Sequence, residues 1–278
     1  MIKDILVCLE GSPSSLCATE LALRLGSSLQ ATLVGLAVVD EPSIRAGTAT
    51  GIGGSSYKQQ RDAELLKDGH ERAAQWMEAF LARCREFGVA ARALEQRGHP
   101  AAMILREMGR HDLTLIGRHV NFLFETEAQD HRTRDAVLHR APKPVMVVPE
   151  EPVETGTAVL AAFDGSSAAK RALRAFAESG MAVERAIHVA SVGDEGAAAY
   201  EMAVRGCELL RPLGIRAEPH SVVAASSIAE AILAERRRLG AAFVVSGAYA
   251  HSFLSHLLWG SVTRELLEKT PVPLFLHQ

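Results

Sequence analysis

Two stretches of the sequence carry residues that could hold a phosphorylated ligand, and each follows a short apolar run. Asp164 comes directly after Ala158–Phe163, and Gly247 comes directly after Ala242–Ser246. A carboxylate at the end of a strand can accept hydrogen bonds from an adenine amino group or from ribose hydroxyls. A glycine there permits the positive φ of a sharp turn and a close backbone approach to a ligand.

The second stretch continues to Gly260 and Ser261, immediately before a helix predicted from Val262. Free backbone N–H groups, a hydroxyl and the positive end of a helix dipole together favour a phosphate. A simpler alternative is that Ser261 is only an N-cap, because serine is favoured there. Asp164 could likewise cap the helix that begins near Ser167, and both alternatives stay open.

These residues belong to the second of two similar halves, predicted as domains 1–150 and 155–278. Each half opens with an apolar strand and an acidic-Gly-Ser turn, Glu10-Gly11-Ser12 or Asp164-Gly165-Ser166. A repeat of this length indicates duplicated domains rather than a solenoid. The 278 residues suffice for two full cores.

Strands and helices alternate strictly in both halves, which predicts an α/β fold of open parallel sheets with helices on both faces. Predicted strands are Ile5–Leu9, Thr32–Val39, Ala90–Glu95, Leu113–Ile116, Val145–Val148, Ala158–Phe163, Ala186–Ser191, Arg216–Val222, Ala242–Ser246 and Pro273–Leu276. Predicted helices are Ser14–Leu29, Tyr57–Phe87, Pro100–Gly109, Arg132–Arg140, Ala168–Ser179, Glu195–Leu213, Ser227–Leu239 and Val262–Lys269. Glu41–Ser56 is predicted to be a loop because it is rich in Gly, Ser and Thr, and Glu150–Gly156 a linker.

Charge and cysteine usage limit the classes of partner. Lys and Arg number 18 against 19 acidic residues in 1–150, and 12 against 14 in 151–278, so no nucleic-acid partner is expected. The four cysteines show no CxxC spacing, which is typical of a reducing compartment. We see no signal peptide and no uncharged apolar run of membrane length, so a soluble, cytoplasmic protein is expected.

The segment from Gly247 to Phe275 closely resembles the C-terminal signature of universal stress proteins, and Ala161–Ala169 resembles their first strand and turn. The family pattern is Gly, two residues, Gly, nine residues, Gly, then Ser or Thr. Gly247, Gly260 and Ser261 match it, whereas Ala250 replaces the middle glycine. The resemblance spans nearly all of both halves and implies a tandem member, with a five-stranded parallel sheet ordered 3-2-1-4-5 in each half.

The resemblance also implies ATP, with or without Mg²⁺, as the ligand of the second half. The contacts that carry over are Asp164 at adenine or ribose, the Val189 backbone beside adenine, and a phosphate cradle formed by Gly247, Ala250, Gly260, Ser261 and Val262. The added Cβ of Ala250 is expected to weaken binding rather than to abolish it.

The first half departs further from the family pattern, since Glu10 replaces the aspartate. Alignment of Pro142 with Pro271 places His131 and Arg132 where the second half has Gly260 and Ser261. We therefore expect no ATP binding there. Five basic residues could contact another anion, but an exposed polar face is favoured for them: Arg118, His119, His131, Arg132 and Arg134. No metal site is predicted, because His131 and His139 are eight residues apart and the HExxH and CxxC spacings are absent.

These features predict an ATP-binding regulatory protein of the stress response. The alternatives are an interaction scaffold with closed pockets and a slow ATP hydrolase. We find no lysine in the second cradle, no metal-binding carboxylate pair and no placed general base, so any catalysis is expected to be weak. The apolar strands Val145–Val148 and Pro273–Leu276 need cover and are predicted to pair in an internal pseudo-dimer. A homodimer is compatible with the sequence, and the protein partner is not identified by it.

Overall fold

The computed structural model describes residues 1–46, 55–120, 122, 132–151, 156–224, 226–248 and 261–278. The chain divides into two compact units, Lys3–Arg140 and Met1–Ile2 with Ala141–Gln278. The predicted domain limits 1–150 and 155–278 stay a prediction. The strand Val145–Val148, predicted as the last of the first half, falls within the second unit.

The unit Lys3–Arg140 is built on a parallel sheet. Its elements are β1 (Asp4–Leu9), α1 (Pro13–Leu29), β2 (Thr32–Val39), α2 (Glu41–Ala46), α3 (Ser55–Phe87), β3 (Ala91–Arg97), α4 (Pro100–Met108), β4 (Leu113–Gly117) and α5 (Arg132–Arg140). The strands are ordered β3-β2-β1-β4, with Leu6 of β1 opposite Val34 on one side and Thr114 on the other. Helices cover both faces, so β1 is buried along nearly all its length.

The second unit contains β5 (Val145–Val148), β6 (Ala158–Ala162), α6 (Ser167–Glu178), β7 (Ala186–Val192), α7 (Gly196–Leu210), β8 (Ala217–Val222), α8 (Ile228–Leu239), β9 (Ala241–Gly247), α9 (Ser261–Lys269) and β10 (Leu274–His277). A turn of 3₁₀ helix, Arg211–Leu213, follows α7. The parallel strands are ordered β8-β7-β6-β9-β10, which confirms the predicted 3-2-1-4-5 order for the second half.

Strand β10 has a second neighbour, because β5 lies antiparallel against its other edge. Leu274 faces Val147, and Leu276 faces Val145. The predicted pairing of these two apolar strands within one chain is therefore confirmed. The pairing satisfies backbone groups that would otherwise form an open sheet edge.

The prediction that Glu41–Ser56 is a loop was wrong at both ends of the segment. Glu41–Ala46 is the helix α2, and α3 already begins at Ser55. The missed signal is Asp40, whose carboxylate accepts hydrogen bonds from the Ser43 backbone N–H at 3.1 Å and from its hydroxyl at 2.7 Å. Such a carboxylate starts a helix, and the buried Ile44 anchors it. Residues 47–54 lie outside the described residues.

None of the helices in the described ranges is long and apolar enough to cross a bilayer.

The glycines that end β4 and β9 are required by close packing. A Cβ on Gly117 would lie 2.4 Å from the Ser14 hydroxyl of α1, and one on Gly247 would lie 2.5 Å from the Ala169 backbone nitrogen of α6. Gly247 is not among the positive-φ glycines of the described residues, so the predicted sharp left-handed turn was the wrong reason for it. The helix start packs directly on the strand end in both halves.

The Gly117→Ala variant should therefore be destabilised by about 1–3 kcal/mol, because the added methyl overpacks the contact with α1. The measurement is the free energy of unfolding from urea denaturation. Gly109→Ala is the matched control, since a Cβ there would meet nothing closer than the Arg106 carbonyl oxygen at 3.8 Å. Equal stability of the two variants would contradict the packing argument.

Candidate functional site

The acidic-Gly-Ser turn after β6 is held by its own hydrogen bonds. Gly165 has a φ of 78°, and the Asp164 carboxylate accepts a hydrogen bond from the Ser166 backbone N–H at 2.9 Å. The Ser166 hydroxyl accepts from the Ala169 N–H at 3.1 Å and so is the N-cap of α6. The alternative that Asp164 is this cap was therefore wrong, and its exposed carboxylate still has acceptor capacity for a ligand.

A cavity of about 350 Å³ opens beside this turn. It lies at the carboxyl ends of the neighbouring strands β6 and β9, the edge where open parallel sheets bind ligands. The lining residues from the end of β6, from β7 and from α8 are apolar: Ala162, Phe163, Ala190, Val192, Ile228 and Ile232. Those from the start of α6, the end of β9 and the start of α9 are richer in hydroxyls and backbone groups: Ser166, Ala169, Ser246, Gly247, Ser261, Val262 and Thr263. Asp164 completes the lining.

Helix α9 brings its first turn to the cavity. Ser261 is the first helical residue rather than the residue before the helix, and it lines the cavity with Val262 and Thr263. The first N–H groups of a helix have no intrahelical acceptor, so they can serve a ligand. Glu265 pairs with Lys269 at 2.8 Å and is not part of the lining.

The structure brings together four of the predicted site residues, Asp164, Gly247, Ser261 and Val262. Val189 is fully buried, and its Cγ1 lies against Gly206 of α7. Strand β7 instead lines the cavity with Ala190 and Val192. Ala250 and Gly260 lie outside the described residues. Two lining residues, Thr263 and Ile232, were not predicted from the sequence, although the helical period of α9 and α8 could have indicated them.

The equivalent turn of the first half has the same geometry with different surroundings. Gly11 has a φ of 79°, and the Ser12 hydroxyl caps α1 by accepting from the Ser15 N–H at 3.2 Å. The Ser12 hydroxyl also bonds to the Glu10 carboxylate, which is only 6 % exposed. A Cβ on Gly11 would lie 2.4 Å from the indole nitrogen of Trp76, so α3 closes over this turn.

Two arginines of the first half are buried, which corrects the exposed polar face predicted for them. Arg118 is 7 % exposed and Arg134 is 3 % exposed. The Arg134 guanidinium donates to the Arg118 carbonyl oxygen at 2.9 Å and pairs with Asp135 at 2.8 Å. By the alignment of Pro142 with Pro271, Arg134 stands where Thr263 lines the cavity of the second half. The long Arg134 side chain thus stands at the position where the second half has the shorter Thr263.

Burial keeps three of the four cysteine side chains protonated. Burial raises the pKa of Cys84 to about 11, and that of Cys207 to about 11. The buried Cys8 shifts in the same direction because of its burial and of the nearby Glu10 carboxylate, so its pKa is also raised. These three side chains remain protonated thiols at neutral pH, which are poor nucleophiles.

Comparison with known proteins defines the class. The family model described as "Universal stress protein family" matches residues 1–149 and again 157–276, so this chain belongs to that family and carries two copies of its domain. Universal stress protein Slr1230 of Synechocystis is 25 % identical over 98 % of both chains. A universal stress protein structure from Archaeoglobus fulgidus has the same fold, with a TM-score of 0.66 at 20 % identity over 99 % of this chain and 98 % of that one.

One further family structure, from Arabidopsis thaliana, is described with AMP bound. It is 17 % identical and covers 56 % of this chain and 96 % of that one, with a TM-score of 0.38.

The buried position of Arg134 generates a stability prediction. Arg134→Met should lower the free energy of unfolding by about 1–3 kcal/mol, because it removes the buried hydrogen bond to the Arg118 carbonyl and the ion pair with Asp135. Arg264→Met is the control, since Arg264 is 69 % exposed and such a surface pair contributes little. Urea denaturation of both variants is the measurement, and a loss no larger than that of the control would contradict the buried hydrogen bond.

Proposed function

We propose that the second half binds ATP at the cavity beside Asp164 and that the protein is an ATP-binding regulatory protein of the stress response. The observation that carries the proposal is the composition of this lining, which is apolar where β7 and α8 contribute and rich in hydroxyls and backbone N–H groups where α6 and α9 begin, with Asp164 completing it. A nucleoside triphosphate needs both kinds of surface, one for its flat base and one for its phosphates.

The apolar lining residues of β7 and α8 can bind a purine ring. Ala190, Val192 and Ile232 come from β7 and α8, and they present aliphatic surface on which a flat ring can pack. The Asp164 carboxylate keeps acceptor capacity beyond its bond to Ser166, so it can accept from ribose hydroxyls or from the adenine amino group. These contacts would favour adenosine over a pyrimidine nucleoside, because a smaller base buries less apolar surface.

The hydroxyl-bearing lining residues at the start of α6 and α9 can bind phosphates, although no basic side chain lies among the described lining residues. Among the described lining residues there is no lysine or arginine, and Asp164 is the one ionisable group. The phosphates would therefore bind through the N–H groups and dipole of α9 and through the Ser261 and Thr263 hydroxyls. Mg²⁺ bound with ATP would offset part of the remaining negative charge.

This arrangement supports regulation more than catalysis. Rapid phosphoryl transfer needs cations placed on the phosphates and a group that positions the nucleophile. The described lining supplies hydroxyls and a single carboxylate, so we expect at most slow hydrolysis of bound ATP. We propose no nucleotide at the first-half turn, because Arg134 and Trp76 lie there.

Calorimetric titration of ATP with Mg²⁺ into the full chain tests the proposal, and we expect one site per chain. Asp164→Ala and Ser261→Ala should each weaken binding by about fivefold or more, the effect of losing one hydrogen bond to the ligand. Glu10→Gln is the matched control at the equivalent turn of the first half and should leave the affinity unchanged. CTP in place of ATP should bind more weakly, because its smaller base buries less apolar surface.

Two results would overturn the proposal. Two equivalent sites, one of them sensitive to Glu10→Gln, would show that the first half also binds. No saturation at millimolar ATP, in a protein shown to be folded and free of ligand, would exclude the nucleotide and favour an interaction scaffold.

A further inference from the structure

Three potential metal ligands converge on one face of the second sheet. His188 of β7 stands opposite Glu218 of β8, and His220 lies two residues further along β8 on the same face. The Nδ1 of His188 is 2.9 Å from the Nε2 of His220 and 3.5 Å from a carboxylate oxygen of Glu218. Within the described residues, these three side chains can present one ligand atom each, all within 4.8 Å of one another.

The separations are close to those of a bound ion. Two ligand atoms at about 2.05 Å from a tetrahedral zinc ion are about 3.3 Å apart. The observed 2.9 Å and 3.5 Å bracket that value, so small side-chain rotations would seat an ion. The imidazole rings meet edge to face with their centroids 4.9 Å apart, so they are not stacked in a way that would block an ion between the nitrogens.

A carboxylate of α8 supports one of the imidazoles. Glu235 lies 3.2 Å from the Nδ1 of His220, on the opposite side of the ring from His188. The same Nδ1 lies 3.2 Å from a guanidinium nitrogen of Arg238, which also donates to the Glu235 carboxylate at 2.6 Å and 2.8 Å. When the exposed Arg238 side chain turns away, a hydrogen bond from Nδ1–H to Glu235 leaves the Nε2 lone pair directed at the cluster, the arrangement that carboxylates impose on metal-binding histidines.

The His188 side chain is 12 % exposed, and the charged groups of Glu218, Glu235 and Arg238 lie around the cluster. A neutral imidazole is the form that coordinates a metal. Arg238 is the one cation among these groups, and at 60 % exposure its side chain can turn toward solvent while an ion binds.

The duplication shows that the fold does not require this cluster. The turns Glu10-Gly11 and Asp164-Gly165 align the halves, and strand register then matches His188 with Val34, Glu218 with Arg92 and His220 with Leu94. The first half thus builds the same sheet with two aliphatic residues and an arginine. The three ligands of the second half need an explanation other than the packing of these strands.

We propose that His188, Glu218 and His220 bind a divalent transition-metal ion of the zinc class. The ligand atoms are the Nδ1 of His188, the Nε2 of His220 and a carboxylate oxygen of Glu218, with water completing four-fold coordination. Two imidazoles and one carboxylate favour zinc, copper or nickel over the oxygen-preferring Mg²⁺ and Ca²⁺. No metal site was predicted from the spacing of histidines and cysteines along the chain, whereas these ligands meet across two strands.

Titration of Zn²⁺ alone into the nucleotide-free, chelator-treated full chain tests this proposal at neutral pH. We expect one ion per chain, and Co²⁺ in its place should give the intense visible absorption of a tetrahedral site. His188→Gln and His220→Gln should each weaken binding by about 100-fold or more, and Glu235→Gln by about 10-fold to 100-fold. Affinity should fall as the pH is lowered, because protonated imidazoles cannot coordinate.

His70→Gln is the matched control, because His70 also pairs with a carboxylate, Glu95 at 2.8 Å, but has no second histidine in that pair. It should leave zinc affinity unchanged. Unchanged affinity in His188→Gln and His220→Gln, when circular dichroism shows that both are folded, would overturn the proposal. A thiolate charge-transfer band with Co²⁺ would also overturn it, by assigning the ion to a cysteine. The experiment contains no nucleotide, so its outcome is independent of ATP binding.

Discussion

The close contact between a strand end and the first turn of a neighbouring helix is the constraint on which both halves depend. Gly117 packs on Ser14, and Gly247 packs on Ala168 and Ala169, at distances that leave no room for a Cβ. This contact fixes where α6 starts relative to β9, and so fixes the Ser166 cap and the Asp164 turn beside it. The cavity lies at these strand ends, and residues of α6, α8 and α9 complete its lining.

The same turn has two different environments after duplication. In the first half, Trp76 lies on Gly11 and the Arg134 guanidinium reaches the residue after Gly117. In the second half, Met202 lies on Gly165, and the short Thr263 replaces the arginine, so the space beyond the strand ends stays open. The backbone framework is thus retained while the side chains at the strand ends differ. An arginine buried in this way also ties its own helix to the end of β4, because its guanidinium donates to the Arg118 carbonyl oxygen.

Regular elements could be predicted from the sequence because their apolar period is strong. Thr32–Val39 and Arg132–Arg140 were predicted with their observed limits, and the 3-2-1-4-5 order of the second half followed from the family resemblance. Details that depend on side-chain direction were not predictable. Arg134 looked like a surface residue, since nothing in its neighbours along the chain indicates the carbonyl it reaches. The helix α2 was hidden by the Gly-rich composition that follows it, although Asp40 carried the local signal.

The position of β10 between β9 and β5 has a consequence for how the protein is made. Both neighbours precede β10 along the chain, so the ribosome synthesises them first, and each has an unpaired apolar edge until β10 is made. The edge of β5 stays unpaired during synthesis of the whole second half. Uncovered edges are the features through which nascent chains associate wrongly. A chaperone that shields β5 during translation would therefore affect the yield of folded protein more than its final stability.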